Sequence, residues 1–339
     1  MVTAVGLSAA ETAASVRAAT MRFGQLHWLD HRFEPFTVAS VADAALLELS
    51  PDVAKTRGLS VRDARLLRIG ATALAGCVGP ARGEKPPLVL ALPEPERQRP
   101  LDAGRLLKLF GLQTGDSFDA AASETVTTGR AGGLVALGRA AAMIRSGKAK
   151  FAVAGGLDSY VDLYTLGTLD LEKRVKSGAN LDGFIPGEGA AFLLLASPQA
   201  AAAARLPALA VVSGAAEGFE KGHLGSKETY MGEGLAATFQ ALIGDSPPPR
   251  PFASVWSSMN GESHWAREWG VAFLRSRDAF AESHAMNHPA DCFGDAGAAS
   301  GALLAGLASL DATRGPALVY ASSDYGARAC VSILPAGGG

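Results

Sequence analysis

Residues 129–144, GRAGGLVALGRAAAMI, put a cation where helix physics disfavours one. The small and apolar residues read as a helix, Gly129 opens it, and Arg130 falls in its first turn. Free N–H groups and the macrodipole favour an anion there, by about 0.3–1 kcal/mol at an exposed position. A helix this apolar faces a core, where an unpaired guanidinium costs far more. The position therefore asks for a carboxylate partner from elsewhere in the chain. Arg130 stays protonated at any working pH, so it can bind or orient but cannot be a nucleophile.

Other chemistry-capable residues are scattered. Cys77, Cys292 and Cys330 form no C-x-x-C pair, which fits a reducing compartment and argues against a disulfide framework. Cys292, in an apolar turn, reads as a structural thiol. Thr127 and Thr128 precede the Arg130 helix and read as caps. His264 begins the helix-like SHWAREWGVAFLR and reads as a surface or capping residue. His223, Lys227 and Glu228 lie on a polar stretch that reads as a solvated loop. Trp28 and His31, in RFGQLHWLDHRFEPF, read as packing under a loop rather than as a partner site. There is no metal-ligand spacing, P-loop or G-x-G-x-x-G after a strand, so neither metal nor cofactor is expected.

These residues must be positioned by an alternating framework. VTAVG, PPLVLALP, KFAVAGG, AAFLLLAS, PALAVVSG, FASVWSS, ALVYASS and ACVSILP read as strands. SVRDARLLRIGATALAG, the Arg130 segment, EGLAATFQALIG and GAASGALLAGLASL read as helices between them, which implies a layered α/β fold. With 339 residues, 48% of them hydrophobic, the chain can bury a large core. A formal net charge of −2 without a basic block argues against nucleic-acid binding. Pro198, Arg205 and Pro207 break the most apolar window, and the opening residues lack a basic n-region. A cytoplasmic location without membrane insertion is expected. The stretches 197–208 and 245–251 read as linkers, and EKPPLVLALPEPERQRP reads as a strand leaving into a Pro- and charge-rich loop.

A faint repeat sharpens the expectation for Arg130. GRAGGLVALGRAAAMI at 129–144 aligns under GDAGAASGALLAGLAS at 294–309, and each is followed by a strand ending near an Asp, Asp158 and Asp324. The offsets between the two copies are 165 and 166 residues. Two halves about a pseudo-twofold would place Arg130 and Asp295 at equivalent helix starts.

SGKAKFAVAGGLDS followed by NLDGFIPGEGAAFLLLAS resembles the A-G-G strand and the D-G-F-x-x-G-E-G-A element of the β-ketoacyl synthase branch of the thiolase superfamily. TAVGLSAAETAASVRAAT is similar to that family's opening strand and helix, and PALAVVSGAAEG with GEGLAATFQALIG to the start of its second half. The resemblance implies a five-layered αβαβα fold of two related halves, usually dimeric. Expected boundaries are an N-terminal half at 1–198, a C-terminal half at 206–335 and a disordered tail at 336–339. In the family, Glu188 of PGEG is a structural residue of the turn.

The family condenses acyl thioesters with a Cys at a helix start and two His, or His and Asn. Here Arg130 stands in the nucleophile slot, Asn260 in WSSMNGESHW before Gly261 in place of the first His, and Asp295 in FGDAGAASG in place of the second. The C-terminal G-F-G-G-x-N turn has become SSDYGARA. The resemblance thus implies a degenerate site of Arg130, Asn260 and Asp295, with Arg130 resting on Asp295, Asn260 adjacent, and no catalytic residue. The expected role is protein–protein interaction, as a homodimer or as a heterodimer with a ketosynthase-like chain. Non-catalytic subunits of ketosynthase pairs and the short thiolase-like proteins of bacterial secretion-effector clusters are the two patterns that fit. The second implies an effector or secretion-component partner and an assembly or loading role. The alternative is an acyl-thioester enzyme, an acyltransferase or malonyl decarboxylase, with a remodelled site lacking the Cys.

Overall fold

The apolar runs become strands, and the small-residue segments between them become helices, in a computed structural model describing residues 1–79, 84–95, 101–311 and 315–336. The first part of the chain runs β1 (Val2–Thr3), α1 (Ala9–Arg17), the hairpin β2 (Gly24–Leu29) and β3 (Pro35–Val38), α2 (Pro51–Ala54) and α3 (Val61–Val78). It continues with β4 (Pro87–Ala91), α4 (Ala103–Gln113), β5 (Asp119–Val126), α5 (Gly132–Arg145), β6 (Phe151–Ser159), α6 (Leu163–Leu171) and β7 (Glu188–Ala196). After α7 (Pro198–Ala204) come β8 (Ala210–Phe219), α8 (Glu233–Asp245), β9 (Phe252–Ser257) and α9 (Ser263–Arg275). Then follow β10 (Phe280–Asn287), α10 (Ala290–Phe293), α11 (Ser300–Leu310), β11 (Ala317–Ser322) and β12 (Ala327–Pro335).

Two five-stranded sheets repeat one plan. The first has the order β1-β7-β6-β4-β5, and the second, read from the matching edge, β8-β12-β11-β9-β10. In both, the first two pairings are antiparallel and the last two parallel. Helices α5 and α11 lie side by side between the sheets, α3 and α4 cover the first sheet from outside, and α8 and α9 cover the second. The fold is the five-layered αβαβα arrangement of two halves.

The central layer explains the Gly and Ala content. A helix sandwiched between two sheets has no solvent face, so α11 is buried from Ser300 to Ala308. At the crossing of α5 and α11, a Cβ on Gly133 would stand 2.3 Å from the Ala302 backbone N, and one on Gly301 would stand 2.8 Å from the Leu134 N. Only glycine lets the backbones approach this closely.

That contact also corrects the repeat. The halves pair Gly133 with Gly301 and Leu134 with Ala302, an offset of 168 residues. Arg130 is therefore equivalent to Ala298, and Asp295 lies three residues ahead of the second helix start. Small-residue motifs slide against one another without a marker to fix register. The expected linker 197–208 contains α7, capped by the Ser197 hydroxyl with Pro198 in its first turn. Strands β5 and β10 escape the hydrophobic pattern, since DAAASETV and FAESHAMN carry little alternation. The loop residues 96–100 and the tail residues 337–339 lie outside the described residues.

Candidate functional site

Each charged residue of the site is delivered by a turn. Arg130 sits in a single 3-10 turn, Gly129–Ala131, ahead of α5, and Gly129 adopts φ +57° to make the bend. Its mate Gly297 has φ +52° before α11. Asp295 follows Gly294 (φ +71°) and is pinned by its own N–H donating to the Ile185 carbonyl and its carbonyl accepting from the Gly187 N–H. Asn260 and Glu262 flank Gly261 (φ +110°) in the turn between β9 and α9. Asp324 lies in the β11–β12 turn, and Arg174 follows α6.

The side chains close a ring. Arg130 Nε donates to Asp295 Oδ2 at 2.6 Å, and Arg130 Nη1 donates to Asp324 Oδ1 at 2.6 Å. Arg174 takes Asp324 from the other side, Nη1 to Oδ2 at 2.7 Å, and grips Glu262 bidentately at 2.8 and 2.9 Å. Asn260 Nδ2 completes the circuit, donating to Glu262 Oε2 at 3.1 Å and to Asp295 Oδ2 at 2.8 Å. Two guanidiniums thus face three carboxylates. Phe184 lies 5.7 Å from the Arg130 guanidinium carbon and 5.3 Å from that of Arg174, while Trp265 lies 5.3 Å from Arg130 and donates its indole N–H to Glu262.

Burial makes the ring strongly coupled. Arg130 is 2% exposed. Burial pulls its guanidinium down, but Asp295 and then Asp324 hold it above the ordinary guanidinium range. Burial would likewise raise Asp324, yet Arg130 and Arg174 drive its carboxyl well below the usual carboxylate range. Glu262 is also lowered against its burial, chiefly by Arg174. A second buried pair lies behind Trp265, whose ring is 5.6 Å from the Arg328 guanidinium. Arg328 Nε donates to Glu268 Oε1 at 2.7 Å, and the Ser322 hydroxyl donates to the other Glu268 oxygen.

The structure brings Arg130, Asn260 and Asp295 together. Sequence reasoning did not join Asp324, Arg174, Glu262, Trp265 or Phe184 to them. Asp324 carried one usable signal, a carboxylate shortly after an apolar run, although it lies in the turn beyond β11 where Asp158 lies inside β6.

Other expectations need correction. Thr128 does not cap with its side chain; the Ala131 N–H goes instead to the Ser323 hydroxyl, at 2.9 Å. His264 does not cap α9 and is half-buried, its ring tilted against Tyr230 at 4.6 Å and edge-on to Trp265 at 4.7 Å. His223 is wedged between the Phe219 and Tyr325 rings, whereas Lys227 and Glu228 are exposed. Trp28 packs against the small core around Phe36 and Phe184, while His31 is exposed and bonds Asp170 at 2.9 Å. Glu188 is a strut. It accepts from the Val41 N–H at 2.7 Å, from Ser159 Oγ at 2.7 Å and from Arg65. All three cysteines are free thiols, and burial, then Asp291, pushes the Cys292 thiol up, away from the thiolate a nucleophile needs. Among the described residues, no group of three His, Cys, Asp or Glu is placed to hold a metal, and no helix is long and apolar enough to cross a membrane.

Residues 118–201 match the family model for the β-ketoacyl synthase N-terminal domain. A comparison with curated proteins gives no match. Among solved structures, the ishigamide ketosynthase/chain length factor superposes with a TM-score of 0.80 at 16% identity, covering 99% of this chain and 97% of that one. The AntDE ketosynthase in complex with its acyl-carrier protein AntF gives 0.77 at 16%, with coverage of 99% and 97%. A ketosynthase from module 6 of the bacillaene synthase of Bacillus subtilis 168 gives 0.77 at 12%, covering 97% of this chain and 69% of that one. The chain thus has the thiolase-like fold of the ketosynthases, and its central segment, residues 118–201, matches the N-terminal domain of the β-ketoacyl synthases.

Proposed function

We propose that this is a non-catalytic, ketosynthase-like protein that acts by holding another protein. One observation carries the reading: the guanidinium in the nucleophile slot is committed to Asp295 and Asp324 within a closed ring. Arg130, Asn260 and Asp295 then form a strut between the halves in place of a reaction centre. The domain boundaries 1–198 and 206–335 belong to the same proposal, each half contributing one wall of the ring.

The partner proposed is a ketosynthase-like chain, either a second copy or a heterologous one. The structural neighbours include a ketosynthase/chain length factor and a ketosynthase with its acyl-carrier protein, which supports that class. Strand β5 adds no support at its bulge: among the described residues it pairs only with β4, and the N–H groups of Ala121 and Ala122 are taken by Asp119 Oδ1. An effector or secretion-component partner rests on the sequence resemblance alone.

The test has two arms. Incubation with acyl- and malonyl-thioesters, read by intact mass and by carbon dioxide release, should give no adduct and no decarboxylation above background. Co-expression with the ketosynthase-like chain of the native host should give a stoichiometric complex. Turnover abolished by Arg130→Met would replace this reading with the remodelled enzyme.

A further inference from the structure

The hairpin β2–β3 carries an aromatic ring that the fold does not bury. Phe33, at its tip, is 83% exposed and adopts φ +64°, a left-handed conformation that bulky side chains rarely take. The tip is nonetheless firmly built. The Asp30 carboxylate accepts the Arg32 and Glu34 N–H groups at 2.8 and 2.9 Å, and the Asp30 N–H donates to the Glu34 carbonyl at 2.8 Å. The His31 N–H ties the turn to Asp170 at 2.9 Å. A strained, rigid turn that holds a ring in water suits a docking group, which loses little freedom on binding. Arg32 and Glu34 flank the ring, both exposed and, among the described residues, without a side-chain partner.

A hollow of ≈ 430 Å³ opens at the base of the same hairpin, a size in the range of about 300–1,000 Å³ typical of pockets that bury small apolar groups. Val5, Val41, Ala42 and Ala45 line it with small apolar side chains. Its two charged lining residues are Glu11 and Arg22, both exposed. Glu11 accepts the Leu7 N–H at 2.8 Å, and Arg22 Nη1 reaches the Ala4 carbonyl only at 3.4 Å, so both keep donor or acceptor capacity. Arg22 lies just before β2 and Val41 just after β3. The six residues of β2 therefore set ring and hollow about 20 Å apart, at opposite ends of one hairpin.

We propose that Phe33 of one copy of this chain seats in the Val41 hollow of a second copy, with Arg32 against Glu11 and Glu34 against Arg22. The charges are complementary: a ring flanked by a cation and an anion meets an apolar hollow flanked by an anion and a cation. Two hairpins laid antiparallel about a twofold make both contacts at once, tip to base and base to tip, and the pair closes. The stretch of β2 between them leaves Gln25, His27 and Leu29 exposed, so this face is open to a second copy. Burial of the ring supplies the anchor, and the charges around it select the partner and the register. The inference does not rest on a silent slot, because a catalytic chain could carry the same ring and hollow.

Sedimentation of the full chain over a concentration series tests the pairing. The wild type should form a concentration-dependent dimer. Phe33→Gly removes the ring and suits the left-handed backbone, so it should fold at least as well and weaken the dimer by at least about tenfold, as truncation of an aromatic anchor does. Glu34→Arg and Arg22→Glu should each weaken it several-fold, and the two together in one chain should restore it. A wild type that stays monomeric throughout, or a dimer that Phe33→Gly leaves intact because another face joins the copies, overturns the proposal. So does a loss in the single charge reversals that the paired reversal does not restore.

Discussion

The two helix starts of the central layer share a backbone and differ in electrostatics. Gly129 and Gly297 bend alike, at φ +57° and +52°, and each feeds a helix packed against the other. At the second start, the Ala298 N–H donates to Asp158 Oδ2 at 2.9 Å, a carboxylate at a helix N-terminus where the dipole welcomes it. At the first, the equivalent residue is Arg130, and the Ala131 N–H is satisfied by a neutral hydroxyl from Ser323. Two carboxylates are then recruited to the cation, Asp295 and Asp324, both from the other half. The turn geometry is indifferent to charge. What occupies it decides how many long-range partners the fold must bring.

Removing one of those partners is the most severe way to break the comparison. Asp295→Ala should cost about 3–5 kcal/mol in urea unfolding, since it strips Arg130 Nε, the Asn260 amide and the Gly297 N–H of one acceptor. The double change Arg130→Met with Asp295→Leu should recover most of that loss, because the Arg130 charge is no longer left without its Asp295 acceptor and Asp324 keeps Arg174. Equal losses in the single and double variants would show that the pair is not what holds this start.

The shared backbone can be stressed separately. Gly133→Ala and Gly301→Ala should each cost about 1–3 kcal/mol by overpacking at the crossing, and by similar amounts, because each Cβ meets the partner helix's main chain. A large effect at one glycine with none at the other would mean that the halves do not share the contact equally.

How much of this was readable beforehand follows from the same contrast. Arg130 announced itself because a cation at an apolar helix start violates a local rule, whereas Asp295 was placed beside it through the family resemblance and a repeat that the structure shows to be three residues out of register. Arg174 did not stand out, since LEKRVKSG reads as a solvated charge run, and its partners Glu262 and Asp324 lie 88 and 150 residues away. Nothing within a window of the sequence records such a pairing. Most of the apolar strands were legible because burial on both faces leaves a hydrophobic run, whereas the edge strand β8 is largely exposed and showed only through its Ala and Val content. Strand β5 was not, because an edge strand of small, exposed residues carries no such signal.

Acid titration should separate the starts in sign. Asp324 is held below the ordinary value of 3.8 once its arginines overcome burial, so its contribution is complete above that value and is lost as pH falls below it. The penalty of Asp324→Asn should therefore shrink in acid. Asp158 is raised above 3.8 by burial, with Arg62 and the Ala298 N–H only partly offsetting it. The wild type gains stability there as pH falls through the raised value towards 3.8, so the penalty of Asp158→Asn should grow as pH falls to 3.8 and level off below it. Paired unfolding curves at pH 7, 5 and 3.5 give both slopes, and slopes of the same sign would contradict the assignment.

The smallest effect tests whether the aromatic wall belongs to the first start at all. Trp265 lies 5.3 Å from Arg130 and 5.6 Å from Arg328, and its indole N–H bonds Glu262 at 2.9 Å. Trp265→Phe keeps an aromatic face for the two cations but removes the donor, leaving Glu262 to Arg174 and Asn260. The loss should be about 1 kcal/mol, the net worth of one hydrogen bond with some packing. Coupled to Arg130→Met in a double-mutant cycle, Trp265→Leu, which removes the ring, should show an interaction of about 0.5–1 kcal/mol. The same cycle between Trp265→Leu and Asp158→Asn should give none, because Asp158 serves the other helix start. Coupling to Asp158 as large as to Arg130 would mean that the buried charges form one continuous medium, and that the asymmetry between the two starts is only in their side chains' names.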